Sequence, residues 1–114
     1  MNQIIGIDLG TTNCSLSHAK AGASDTPEIE TDSIAQLVNP GEVREETLLP
    51  SFLYLAGATE FPEGTLDLPW RSGGMPLVGV LAQKRGTESP GRLISSAKSW
   101  LSYAGVDRGA PILP

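Results

Sequence analysis

Apolar and polar positions alternate along the chain in short runs. Gln3 to Leu9 is nearly continuous Ile and Leu, broken by Gly6. That is the pattern of a strand covered on both faces. Cys14 to Ala19 has period two, with Cys14, Leu16 and His18 on one side and Ser15, Ser17 and Ala19 on the other. This predicts a second, half-exposed strand, joined to the first by Asp8 to Asn13 as an antiparallel hairpin. Lys20 to Asp32 is polar, contains Gly22 and Pro27, and reads as a loop. Ser33 to Asn39 carries Ile34, Leu37 and Val38 and predicts a third strand, stopped by Asn39-Pro40-Gly41. Glu42, Arg44, Glu45 and Glu46 read as a solvated acidic connector. Leu49 to Leu55 predicts a strand, with Pro50 tolerated at its start. Residues 56–76, with Pro62, Gly64, Pro69, Gly73, Gly74 and Pro76, read as a loop insertion without regular structure. Leu77 to Val80 predicts a short strand, and Leu81 to Gly86 a helical turn. Ser89-Pro90 is a helix start signal, and Leu93, Ile94, Ala97, Trp100, Leu101 and Ala104 recur at helical spacing. The pattern predicts one clear helix over 90–104, ended by Gly105.

Composition narrows the function classes. The 114 residues suffice for one domain and one core. The net charge is −5 and no basic cluster occurs, which argues against a nucleic-acid surface or an anionic membrane patch. No run approaches the ~20 apolar residues of a membrane span. No Lys or Arg precedes Ile4, and Asp8 interrupts the apolar run, so no secretory signal is expected. The single cysteine, Cys14, excludes an internal disulfide and a cysteine-based zinc site, and suits a reducing, cytoplasmic compartment.

The candidate chemistry sits between the first two strands. An apolar strand runs into Asp8, Gly10, Thr11, Thr12 and Asn13. Gly10 allows close approach of a ligand, and the backbone N–H groups of Gly10 to Asn13 can form a concave nest for phosphate oxygens. The threonine hydroxyls add donors, and the Asn13 amide can hold the turn. Asp8 beside a phosphate would be repelled by roughly 3 kcal/mol for charges about 5 Å apart at an effective dielectric of about 20. A divalent cation between them removes the conflict, and magnesium, hard and partly hydrated, fits. The plain alternative is a hairpin in which Gly10 supplies a positive φ and the threonines begin the next strand. Neither a Gly-x-x-x-x-Gly-Lys-Ser/Thr nor a Gly-x-Gly-x-x-Gly motif occurs.

Ile4-Ile5-Gly6-Ile7-Asp8-Leu9-Gly10-Thr11-Thr12-Asn13 resembles the opening of the ATPase domain of the heat shock protein 70, or DnaK-type, chaperones. Thr47-Leu48-Leu49-Pro50-Ser51 and Leu77-Val78-Gly79, with Ala82 and Lys84 following, resemble later family segments. Ser96-Ala97-Lys98 resembles a helical stretch that carries an active-site lysine, and 92–101 looks like a divergent bacterial branch. Residues 56–76 do not match the family pattern. The resemblance implies an α/β chain forming the N-terminal portion of an actin-like, ribonuclease H-like nucleotide-binding domain. It would be part of lobe I, with a mixed sheet that begins in a β-hairpin.

The resemblance also implies roles. Asp8 would organise magnesium, through water, and Gly10, Thr11, Thr12 and Asn13 would bind the phosphates of ATP or ADP. Lys98 would be catalytic together with Asp8, stabilising charge on the transferred phosphoryl group. The plain alternative for Lys98 is a lysine snorkelling beside an apolar stripe. The whole parent would couple ATP hydrolysis to binding of unfolded peptides, with co-chaperones. The second phosphate loop and the peptide-binding domain have no counterpart here, so this chain alone is expected to be inactive. Another actin-like phosphotransferase of sugar-kinase type and a non-catalytic interaction fragment are the alternatives. Among other residues, His18 reads as packed rather than ligating, Cys14 as a quiet thiol, Trp100 as core and Trp70 as an exposed anchor. In the resembled fold a later strand flanks the first one. Without it, Ile4, Ile5 and Ile7 would lie on an open edge and the isolated chain would self-associate.

Overall fold

The computed structural model describes residues 2–22, 25–72, 76–100 and 109. The first two strands form as expected: β1 (Gln3–Leu9) and β2 (Asn13–Lys20) pair antiparallel from Gln3↔Lys20 to Leu9↔Cys14. The expectation that β1 is covered on both faces fails. All seven of its residues are exposed, with Ile4, Ile5, Ile7 and Leu9 at 59–66%. Among the described residues β2 is its only strand partner. The polar stretch before Asp32 is not all loop, because β3 (Glu30–Asp32) adds to the other side of β2.

β4 (Ile34–Asn39) matches the predicted third strand. The acidic connector is a strand, β5 (Glu42–Glu46), antiparallel to β4. Its charged side chains stay largely in water while its backbone pairs, so charge density alone concealed it. Gly41, at φ 76°, supplies the left-handed turn between them.

The predicted strand from Leu49 to Leu55 is split at Ser51. β6 (Leu49–Pro50) pairs with the start of β2, whereas β7 (Phe52–Tyr54) pairs with β8 (Leu77–Val78). The split carries the chain from the hairpin sheet into a second sheet, in which Tyr54 and Leu77 are buried. Residues 56–72 hold no strand or helix beyond a bridge between Leu68 and Arg71. They are nevertheless part of the core. Ala56 and Leu66 are buried with Leu37, Tyr54, Leu77, Leu81 and Ala82, and Phe61 and Leu68 pack against this cluster.

The helices depart furthest from expectation. The predicted turn at 81–86 is a full helix, α1 (Val80–Glu88), which buries Leu81, Ala82 and Gly86. Its start is held by a residue far away in sequence. The buried Gln36 accepts from the Val80 N–H at 3.1 Å and donates to the Leu48 carbonyl at 3.0 Å. Gly79 precedes it at φ 85°, where a Cβ would meet Gln36 Oε1 at 2.6 Å and Leu49 Cδ1 at 2.8 Å. Glycine is required there on both counts.

The predicted helix over 90–104 is corrected. Pro90–Arg92 is a single 3-10 turn, Leu93–Ser95 is a strand (β9), and only Ala97–Trp100 is helical (α2); residues 101–104 lie outside the described ones, as does the Trp100 side chain. Leu93 and Ile94 bond to Tyr54 and Leu53 of β7, and the Leu93 side chain presses on Gly86, where an added Cβ would meet it at 2.5 Å. Tertiary pairing has overridden a local helical period.

A polar staple closes the core. The hydroxyl of Tyr54, itself 1% exposed, donates to the Glu60 carboxylate at 2.8 Å, and Arg85 of α1 donates to Glu60 Oε2 at 2.9 Å. The Arg85 guanidinium also lies 4.8 Å from the Phe61 ring centre. Burial opposes ionisation of Glu60. The Gly57 N–H, the Tyr54 hydroxyl and Arg85 together outweigh it and hold the carboxyl below its usual range. The architecture is therefore a small, mixed, strand-rich one with an antiparallel hairpin, three sheets and two helices among the described residues. No described helix is long and apolar enough to cross a membrane.

Candidate functional site

The bend between β1 and β2 is closed by the Gly10 N–H donating to the Asn13 carbonyl at 3.0 Å. Gly10 has no positive φ, so it is not the left-handed residue of a plain hairpin turn. What it provides is room, because a Cβ there would collide with the Asn13 carbonyl oxygen. The N–H groups of Thr11 and Thr12 find no acceptor among the described residues. Both residues are exposed, so these donors are open to a ligand.

Ser51 locks the bend from β6. Its N–H donates to the Thr12 carbonyl at 2.9 Å, and its hydroxyl donates to the Gly10 carbonyl at 2.8 Å. The Cys14 thiol lies 3.4 Å from the same hydroxyl. Sequence reasoning placed Ser51 inside a strand and missed this role. The only local signal was a hydroxyl after Pro50, where a ladder is prone to break.

A concavity of about 310 Å³ opens beside the bend. Its floor is apolar, made by Leu49, Phe52, Val78 and Ile94, and its polar groups come from Gly10, Thr11, Cys14, Ser51 and Lys98. Lys98 reaches it through an unusual backbone path. β9 ends at Ser95, Ser96 takes φ 52°, and α2 then turns back toward the bend. A left-handed serine is uncommon and costs energy that the surrounding pairing must sustain.

The expected site residues are thus only partly assembled. Gly10, Thr11 and Lys98 line one concavity. Asp8 does not. It lines a second hollow of about 490 Å³, with Ser15, Ser17, Pro27 and Ile29. The reason is the strand period: Leu9 faces the first hollow, so Asp8 beside it faces the opposite side. Thr12 is exposed outside both, and Asn13 is half-buried opposite Pro50. Among the described residues no group of three or more His, Cys, Asp or Glu side chains could hold a metal ion. The lone Asp8 carboxylate suits a cation that keeps its waters and takes its other ligands from a phosphate, and no tighter metal site.

His18 is half-buried and ion-paired. Its Nδ1 lies 2.8 Å from Asp32 Oδ2 and its Nε2 3.1 Å from Glu30 Oε2. The hydrogen bond to Asp32 raises the imidazole pKa, desolvation works against it, and the Asp32 and Glu30 charges add to the rise. His18 ties β3 to β2. Trp70 is exposed, at 64%.

Comparisons with protein-family models, with curated proteins and with solved structures return no match.

Proposed function

We propose that the chain is the ATP-binding segment of a DnaK-type chaperone, with Gly10 and Thr11 meeting the phosphates of ATP or ADP and Lys98 facing them. The observation that carries this reading is that Thr11 and Lys98, distant in sequence, line one concavity. The open N–H groups of Thr11 and Thr12 and the resemblance of 4–13 to that family support it further. Ser51 fixes the bend by bonding to the Gly10 and Thr12 carbonyls, leaving the Thr11 and Thr12 N–H groups without acceptors among the described residues.

Magnesium, when bound with nucleotide, supplies charge neutralisation between the phosphates and Asp8. This chain's own residues bind and orient. In a complete, actin-like parent in the cytoplasm, the site would be finished by later sequence, and nucleotide would switch the grip on unfolded peptides and co-chaperones. A sugar-kinase-type phosphotransferase remains the alternative within the same superfamily. A non-catalytic interaction fragment is favoured by one observation, the placement of Asp8 in a different hollow from Lys98.

Calorimetric titration with Mg-ATP tests the reading. Lys98→Ala is expected to weaken binding at least tenfold, and Asp8→Asn to weaken it only when magnesium is present. Absence of binding by the unmodified chain would leave the interaction reading. Equal effects of Asp8→Asn with and without magnesium would remove the metal role.

A further inference from the structure

The open edge of β1 has a hydrogen-bonding order that decides what can cover it. The Asn2 carbonyl accepts from Ala21, and the Gly10 N–H donates to Asn13. Both residues are even-numbered and both bond toward β2. In an antiparallel ladder the bonding residues alternate. The N–H and C=O groups of Ile4, Gly6 and Asp8 therefore also face β2, and those of Gln3, Ile5, Ile7 and Leu9 point away from the molecule. This edge carries no proline, no lysine and no bulge, and its only charge is Asp8. The usual protections against strand addition are missing.

We propose that β1 is the contact surface of a symmetric homodimer, in which it pairs antiparallel with β1 of a second copy about a two-fold axis through Gly6. In this register Gln3 faces Leu9, Ile4 faces Asp8, Ile5 faces Ile7, and Gly6 faces Gly6. The outward groups of Gln3 meet those of Leu9, and the outward groups of Ile5 meet those of Ile7. Every outward group on both copies is thereby paired. A shift of two residues either way leaves Gln3 or Leu9 unpaired.

Side chains and charge select the same arrangement. Cross-strand partners share a face, so Ile5 and Ile7 of both copies form one apolar cluster. On β2 that cluster continues onto Leu16, opposite Ile7, and meets His18, opposite Ile5, whose ring is engaged by Glu30 and Asp32. The two Asp8 carboxylates lie about four residues apart along the ladder, on the order of 14 Å, beyond the roughly 8 Å screening length at physiological salt. An in-register parallel pairing would instead set Asp8 beside Asp8, a destabilising contact between like charges. The strand is thus its own complement in one orientation and repels itself in the other. The dimer is an eight-stranded sheet, β3-β2-β1 with β6 also on β2, continued through the second copy, and both bends stay open at its ends. It is a dimer of the 114-residue chain; in a longer parent of the kind proposed above, a later strand would compete for the same edge.

The test uses the full 114-residue chain. Sedimentation equilibrium is expected to give a reversible monomer–dimer equilibrium, and Ile7→Lys to raise its dissociation constant at least tenfold. Amide exchange separates the two edges without mutation. Ile5 and Ile7 should become protected as concentration rises, whereas Ile4 and Gly6 should be protected throughout. Register is read by cross-linking in a Cys14→Ser background. Facing residues at the two-fold form a non-hydrogen-bonded pair with Cα atoms about 4.5 Å apart, within disulfide range. Gly6 has room for a side chain, with nothing within 4 Å of an added Cβ. Gly6→Cys should give a covalent dimer with diamide, and Gln3→Cys should not. A monomer at high concentration with fast exchange at Ile5 and Ile7 would overturn the proposal and point to a strand from another protein or from longer sequence. So would open-ended aggregation, or self-cross-linking of Gln3→Cys as efficient as that of Gly6→Cys.

Discussion

The hairpin sheet and the Tyr54 core are built from similar apolar residues and put them to opposite use. In the core, Leu37, Tyr54, Leu77, Leu81 and Ala82 are each at most 2% exposed, and α1 covers β7. In the hairpin, Ile4, Ile5, Ile7 and Leu9 remain mostly in water. The lesson is that hydrophobicity recruits a strand, but only a covering layer turns that into stability. β7 has β8 on one side, β9 on the other and a helix across its face. Among the described residues β1 has β2 alone as a strand partner.

Substitution at matched apolar positions would break this contrast most directly. Tyr54→Ala is expected to cost about 3–5 kcal/mol, by a cavity and by stranding Glu60. Ile5→Ala, at an exposed position, should stay within about 0.5 kcal/mol for the monomer. Urea denaturation at low protein concentration reads both, and similar values would mean that the hairpin is packed after all.

The next largest effect concerns how the core is capped. Gly79→Ala should cost about 1–3 kcal/mol, because φ 85° and the Gln36 side chain both oppose a Cβ. Gln36→Leu should cost a similar amount by leaving the Val80 N–H and the Leu48 carbonyl without partners. In a thermal melt, Gly22→Ala, with the same positive φ but open space around it, should be the milder change of the two glycines.

Ser51→Ala probes the seam between the two regions. Losing the bonds of its hydroxyl is expected to cost only about 1 kcal/mol. Mg-ATP affinity should fall more than this stability loss suggests, because the bend loses its shape. An unchanged titration isotherm would show that the bend is held by its own backbone.

The smallest effects are electrostatic, and they run in opposite directions. Glu60 has a lowered pKa, so its contribution is present above the ordinary carboxylate value and is lost as pH falls through the folded value. His18 has a raised pKa, so its contribution is complete below the ordinary imidazole value, about 6.5, and is lost as pH rises through the folded value. Acid below the ordinary carboxylate range should therefore loosen the loop that carries Glu60 while β3 stays attached, and raising the pH through the folded imidazole value should loosen β3. His18→Gln should abolish the second dependence in amide exchange at Glu30 to Asp32. Loss of both segments at the same pH would remove the distinction between the regions.

Much of the local structure was legible. The isoleucine run and the alternation from Cys14 to Ala19 specify the hairpin, since a period of two has no other use, and Asn39-Pro40-Gly41 ends β4 where turn chemistry requires it. The meeting of Thr11 with Lys98 was anticipated only through a family resemblance, because no local pattern relates residues so far apart.

What the sequence by itself determined is the hairpin and the place of its bend. These rest on side-chain period and backbone chemistry, both of them local properties. Only the tertiary structure decided the rest. It made Leu93–Ser95 a strand because β7 offers a ladder. It made residues 56–72 part of the core by docking Ala56 and Leu66 against α1 and β7. It also parted Asp8 from Lys98, because a pleated strand sends neighbouring side chains to opposite faces and only the packing chooses which face meets the concavity.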